Sequence, residues 1–294
     1  MKHITTLGID LAKDIFELCG LDSAGGIIYR RTVKRLALSK TVANLAVKTI
    51  AMEACGSAHH WHRVFSELGH EVKLLHPAYV KPFVKGQKND RNDAEGIAIA
   101  ASQKNMTFVM PKTLGQQDIQ SLLRIRERLV RNRTQLINET RGLLQEYGVT
   151  LSRSVSRFKK ELRQTLEQAS SPIPEVIQRA INRLYTELLN LEEEIKGYEQ
   201  ELTALFEQSK DCQRLETIPG VGLLSALAMV SLIGDVKQFK SARHLSAYLG
   251  LVPRQHSSGG REQLFRDQQA RQYDGAYSVN TWSPFSVDES RSAR

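Results

Sequence analysis

The chain has 294 residues, and its 41 Lys and Arg against 32 Asp and Glu give a formal charge of +9. This length suits about two domains with separate cores, and the basic balance favours a polyanionic partner such as a nucleic acid. Cys19, Cys55 and Cys212 are too few for a disulfide framework, and no apolar run has the length of a signal peptide core or a membrane span. We therefore expect a protein of the reduced cytoplasm without a membrane partner.

Short apolar runs alternate with helical patterns over residues 1–110. The runs predicted as strands are ITTLGID, DIFELCGLD, GIIYRRTVK, KTIAMEA and EVKLLH. Helices are predicted near Ser39 to Ala46, Ala58 to Leu68 and Asp93 to Gln103. Three strands in succession, followed by strands separated by helices, are typical of an α/β domain whose sheet mixes antiparallel and parallel pairs.

Long helices are predicted over residues 111–210. From Gln116 a leucine recurs every seven residues, whereas another face carries arginines that few acids balance, among them Arg124, Arg128 and Arg131. A solvated helix surface is one interpretation of these arginines, and a nucleic-acid-binding face is the one that we favour. A polar stretch from Ser152 to Ser171 separates this helix from the next one.

The second long helix has apolar residues at alternating steps of four and three between Ile177 and Leu205. This spacing is typical of a coiled coil. The helix could pair with the preceding helix of the same chain or form a dimer zipper, and the sequence leaves both arrangements open.

A third region, residues 211–265, contains IPGVG between two apolar helices. Gly220 and Gly222 lie in this turn, whose backbone N–H groups could bind a DNA phosphate, although a simple corner between helices is an equal alternative. Residues 266–294 contain few aliphatic side chains and are predicted to be disordered.

Four carboxylates stand at positions that one metal site could share. Asp10 ends the first strand, Glu53 ends a later strand, and Asp90 and Asp93 begin the following helix. Each alone is more typical of a turn or a helix N-terminus, with Asp90 as the N-cap. Together they are four oxygen donors that a ribonuclease H type of fold brings to one sheet edge, where Mg²⁺ is the natural cation.

GIDLAK, EACG and KNDRNDAEGIA resemble the signature of the DEDD-type insertion-sequence transposases, and IPGVG with LSAYLGLVPRQHSSGG is similar to their C-terminal transposase domain. The resemblance implies a RuvC-like N-terminal domain, a central helical region and a mostly helical C-terminal domain. It implies Mg²⁺ at Asp10, Glu53, Asp90 and Asp93, with Ser258 as the nucleophile that forms a phosphoserine with DNA. It also implies guidance by a structured bridge RNA and a dimer or tetramer, close to the nucleoid of a bacterial or archaeal cell.

Other residues near Ser258 allow more than one interpretation. Ser257 is adjacent, and only the register of the motif favours Ser258. Arg254 and Arg261 flank the serine and could neutralise a phosphate, although ordinary basic loop residues are an equal alternative.

The C-terminal sequence departs from the family, whose transposase domain continues through further basic helices beyond SSGG. A truncated or frameshifted copy would have such a tail. Two hypotheses therefore stand: a metal-dependent DNA recombinase, and an inactive remnant that binds DNA or RNA. An ATP-binding fold of the actin type is disfavoured because the sequence lacks its glycine-rich phosphate loops.

Overall fold

The computed structural model describes residues 3–84, 89–167 and 173–249, together with the backbone of Pro253–Ser258 and Arg261–Asp267. The chain divides into two units, one from residues 1–112 and 235–294 and the other from Thr113–Gly234. The tail predicted to be disordered, residues 266–294, lies almost entirely outside the described residues. No helix in these ranges combines the length and the apolar character that crossing a bilayer requires.

The first unit contains a six-stranded sheet with the order β3-β2-β1-β4-β5-β6. Its strands are β1 (Ile4–Asp10), β2 (Ile15–Leu21), β3 (Ile27–Lys34), β4 (Val47–Glu53), β5 (Glu71–Leu75) and β6 (Phe108–Val109). β1 to β3 pair antiparallel, β4 pairs parallel to β1, β5 parallel to β4, and β6 antiparallel to β5. The first five strands have the ribonuclease H order and end within one residue of the predicted bounds, so the mixed α/β prediction is confirmed.

Helices cover both faces of this sheet. Helices α1 (Arg35–Ala43) and α2 (Ala58–Glu67) bury Leu38 and Trp61 in a core with Phe16. The predicted start of α1 at Ser39 is wrong, because the helix begins directly after β3 and the Arg35 amide donates to the Asp14 carbonyl at 2.9 Å. A short helix α3 (Pro77–Val80) and a 3₁₀ turn (Lys81–Phe83) lead towards α4 (Asp90–Ala101) on the opposite face.

Helix α4 packs closely on β1 because small residues line the contact. A Cβ atom at Gly8 would lie 2.4 Å from the Ala94 carbonyl oxygen and 2.6 Å from the Ala98 nitrogen. Ala94 and Ala98 are buried against Cys19 and Leu21 of β2. Gly8 therefore sets how near α4 comes to the sheet.

The second unit consists of helices α5 (Leu114–Gln145), α6 (Val155–Glu167), α7 (Glu175–Glu207), α8 (Lys210–Glu216) and α9 (Leu223–Ile233). Helices α5 and α7 pack together within the chain. Arg126, early in α5, bonds Glu199, late in α7, at 2.9 Å from Nε. Leu144, at the end of α5, shares a buried cluster with Ile181, near the start of α7, so the two helices run antiparallel. Of the two arrangements that the sequence left open, this is the intramolecular hairpin, whereas the dimer or tetramer stays a prediction.

Helix α6 lies in the polar stretch that separates α5 from α7, and the sequence analysis predicted no helix there. Phe158 and Leu162 are buried one helical turn apart with Ile181 of α7, while the other positions of α6 are mostly polar. The mean polarity of this segment concealed an amphipathic pattern with a narrow apolar stripe.

The chain continues after α9 through a 3₁₀ turn (Val236–Gln238) and α10 (Ala242–Tyr248). The strands β7 (Pro253–Ser258) and β8 (Arg261–Asp267) then pair antiparallel as a hairpin that the sequence analysis did not predict.

Gly8→Ala should destabilise the protein by about 2–3 kcal/mol, because the added methyl group overlaps the backbone of α4. Chemical denaturation of the full chain measures this change. Gly142→Ala in α5 is the control, since nothing lies within 4 Å of its Cβ position and alanine favours a helix by about 1 kcal/mol. Equal stability of the two variants would contradict the close packing at Gly8.

Candidate metal centre and nucleic-acid-binding surfaces

Asp10 and Glu53 lie at neighbouring strand ends. β1 and β4 are parallel and each ends at its acidic residue, with Gly8 opposite Ala51 in the register. Because side chains alternate along a strand, Asp10 and Glu53 project to the same sheet face as Gly8 and Ala51, which is the face that α4 covers. The strand topology alone therefore brings these two carboxylates to one edge.

The N-terminus of α4 supplies two further carboxylates. Asn89, and not Asp90, is the N-cap, since its side chain accepts a hydrogen bond from the Asn92 amide at 2.9 Å. Asp90 is thus the first helical residue and Asp93 lies three residues later, on the same face. Acids in the first turn are also favoured by the helix dipole.

Asp10, Asp90 and Asp93 form a group in which one carboxylate oxygen of each lies within 4.8 Å of the others. Glu53 is outside this group. Burial raises the pKa of Asp10 to about 7, with further contributions from the negative charges of Asp93, Asp90, Glu53 and Glu17. The site is therefore crowded with negative charge that the helix N-terminus alone does not relieve.

The donors of this group fit a hard divalent cation. All three are carboxylates, which Mg²⁺ and Mn²⁺ prefer as ligands. Nearby Cys55 offers no thiolate near neutral pH, since burial and the charges of Glu53 and Asp10 raise its pKa to about 12. The Nδ1 atom of His59 accepts from the Lys112 amide at 3.2 Å, so this buried histidine has a structural partner.

Glu17 is an acid near the centre that the sequence analysis missed. It lies on β2 directly opposite Asp10 of β1. The alternation of β2 is visible in the sequence, but the residue opposite Asp10 depends on the hairpin register, which the sequence pattern does not fix to one residue.

Three arginines of α5 form a row on the helix surface. Arg124, Arg128 and Arg131 are exposed at steps of four and three, along one side of the helix. Arg126 bonds Glu199, and Arg141 donates to the carbonyl oxygens of Ser152 and Arg153. The three exposed arginines form a cationic row along this helix.

The IPGVG turn connects α8 to α9 and is exposed at both glycines. Gly220 has a φ of +88°, a left-handed conformation that glycine adopts without steric cost, and Gly222 is the N-cap of α9. The first backbone N–H groups of α9 therefore follow an exposed turn. Such N–H groups at a helix N-terminus can bind an anion.

The segment around Ser258 is described by its backbone alone. Ser258 ends β7 and lies opposite Arg261, which begins β8, while Arg254 is the second residue of β7. The side chains of these three residues lie outside the described part of the structure.

Two family models match the sequence. One, described as a transposase, covers residues 7–149, and the other, described as the transposase IS116/IS110/IS902 family, covers residues 212–274. The transposase for insertion sequence element IS1111A from Coxiella burnetii is 53% identical over 264 residues, which are 90% of this chain and 72% of that protein. The chain belongs to the IS110/IS116 family of transposases.

The chain is also similar to other proteins. A probable family 20 transposase from Pseudomonas aeruginosa is 41% identical over 89% of this chain and 78% of its own length. A pilin gene-inverting protein from Moraxella lacunata is 25% identical over 87% of this chain and 74% of its own length. The solved structure "T. thermophilus RuvC in complex with Holliday junction substrate" matches 36% of this chain and all of its own chain, with 13% identity and a TM-score of 0.29.

Asp10→Asn should stabilise the metal-free transposase at pH 8. The folded-state pKa of Asp10 is about 7, above the ordinary value of 3.8, so ionisation costs stability progressively as pH rises from about 4 to above 7. After allowance for its partial exposure, we expect a gain of about 1–2 kcal/mol at pH 8 and almost none at pH 4. Thermal unfolding in EDTA at both pH values measures this, and a pH-independent effect would contradict the electrostatic explanation.

Proposed function

We propose that this transposase cuts and rejoins DNA strands at the centre formed by Asp10, Asp90 and Asp93, with Glu53 as a fourth acid. The convergence of the three aspartates at the end of β1 is the observation that carries the proposal. Divalent cations such as Mg²⁺, when bound there, would stabilise charge on the attacking and leaving oxygens of a phosphoryl displacement. The carboxylates hold the cations, and Asn89 keeps the start of α4 in place for Asp90 and Asp93.

Ser258 is proposed as the nucleophile, on the strength of the HSSGG motif and the family match over residues 212–274. Its Oγ forms an ester bond to a DNA phosphorus while that phosphorus loses its bond to the adjoining deoxyribose oxygen. The serine loses a proton and the leaving oxygen gains one, so the phosphoserine keeps a bond of similar energy for rejoining. Arg254 and Arg261 are proposed to neutralise the phosphate.

DNA and a guide RNA are the proposed partners. The exposed arginines of α5 and the turn at Gly220 and Gly222 offer cationic and N–H groups to phosphates. A bridge RNA that pairs with donor and target DNA, and a dimer or tetramer in which Ser258 of one protomer meets the acids of another, follow from the family resemblance.

The deciding experiment is incubation of the purified protein with its element's end DNA and non-coding RNA, with and without Mg²⁺. We expect a covalent protein–DNA adduct on a denaturing gel that requires Mg²⁺. Ser258→Ala should abolish the adduct, Asp93→Asn should reduce it by about 100-fold or more with little loss of fold, and Ser257→Ala should retain it. Binding of DNA and RNA without an adduct would favour the alternative, a protein that binds nucleic acid without recombining it.

The arginine face is tested separately by Arg128→Gln with Arg131→Gln. If both contact phosphates, the slope of log affinity against log salt should fall by about 1.8, and affinity near 0.1 M salt by about 50-fold. The control is Arg163→Gln with Arg179→Gln, whose side chains pair with Glu167 and Glu175. If both double variants lost the same affinity, the loss would be explained by net charge alone. That result would contradict a specific binding face on α5.

A further inference from the structure

We infer that Glu17 is a fifth carboxylate of the metal centre, which acts on a bound divalent cation through its charge and through metal-coordinated water. The inference deepens the proposed function and rests on it. Glu17 belongs neither to the group of three aspartates nor to the four acids expected from the sequence.

The register of the sheet puts Glu17 beside Asp10. In the antiparallel pair of β1 and β2, Asp10 and Glu17 are directly opposite each other. Side chains of opposite residues project to the same face with Cβ atoms about 5 Å apart. Glu17 therefore stands on the α4 side of the sheet, next to the carboxylate that the other aspartates approach.

A neutral hydroxyl holds the Glu17 side chain in place. Thr32 of β3 lies opposite Glu17, and its Oγ1 donates a hydrogen bond of 2.6 Å to Oε1 of Glu17. Within the described residues, Oε2 accepts no hydrogen bond and Glu17 forms no salt bridge. The carboxylate is thus oriented by Thr32 without being neutralised.

Two carboxylates directly opposite each other in a sheet destabilise the pair unless a cation lies nearby. Burial raises the pKa of Asp10 most, followed by the charges of Asp93, Asp90 and Glu53, and the charge of Glu17 adds the smallest contribution. A bound cation would remove this repulsion. Since Glu17 is outside the converging group, its contribution fits an ion that keeps several waters, as Mg²⁺ commonly does, with Glu17 accepting hydrogen bonds from them.

The test is the affinity of the full chain for Mn²⁺ alone, measured by calorimetry at pH 8 without nucleic acid. Glu17→Gln should weaken binding by about three- to tenfold, and the loss should shrink at 0.5 M salt. Glu17→Asp and Thr32→Val keep the charge and should lose less. The melting temperature of metal-free Glu17→Gln should not fall below that of the wild type. A merely structural role for Glu17 would predict a lower melting temperature.

Glu71 provides a matched control in the same sheet. It lies on β5 opposite Thr49 of β4, whose Oγ1 donates to it at 2.9 Å, at the strand end far from Asp10. Lys73 also pairs with it. Glu71→Gln should leave Mn²⁺ affinity unchanged, and a loss equal to that of Glu17→Gln would overturn the inference.

Asp93→Asn separates the inference from the proposed function. If the wild-type protein does not bind Mn²⁺, or if Asp93→Asn binds it as tightly as the wild type, the proposed metal centre is refuted. The inference about Glu17 is then refuted with it. If Asp93→Asn abolishes binding but Glu17→Gln binds as tightly as wild type, the metal centre stands and the role of Glu17 is refuted.

Discussion

The contact between α4 and β1 at Gly8 is the constraint on which the candidate centre depends. Asp10 lies two residues beyond Gly8 on the strand, and Asp90 and Asp93 lie in the first turn of the helix that Gly8 allows to approach. A larger residue at position 8 would move that turn away from the strand end. The backbone packing of one glycine therefore determines whether carboxylates far apart in sequence meet.

This convergence has an electrostatic cost that the apolar core must offset. The cores on the two sheet faces include fully buried Phe16, Phe65, Leu75 and Ile97. Such burial stabilises the sheet by an amount that exceeds the repulsion among a few partly exposed acids. The centre is thus held together by hydrophobic packing in spite of its charges, and a cation would convert the same charges from a cost into a binding energy.

The sequence predicted the first five strands well because they are short apolar runs between turn residues. The helices were predicted less accurately than the strands. The start of α1 was misplaced, because Arg35 and Leu36 give no periodic signal and Leu36 is 98% exposed. Helix α6 was missed because Phe158 and Leu162 are its only buried residues. For the centre, the motif indicated Asp10, Asp90 and Asp93, but the position of Glu17 depends on strand register, which is a property of the fold and not of local sequence.

The positive charges of the chain also differ in what the sequence predicts and what depends on the fold. The net charge of +9 predicts an anionic partner but cannot say which arginines are available to it. Arg126 is used to join α5 to α7, and Arg141 to hold the chain that leads into α6. Only after these structural bonds are assigned does the row of exposed arginines on α5 emerge as a surface. The proposal that this second unit binds nucleic acid therefore depends on the arginines that are exposed on the helix surface and not on the number of arginines in the chain.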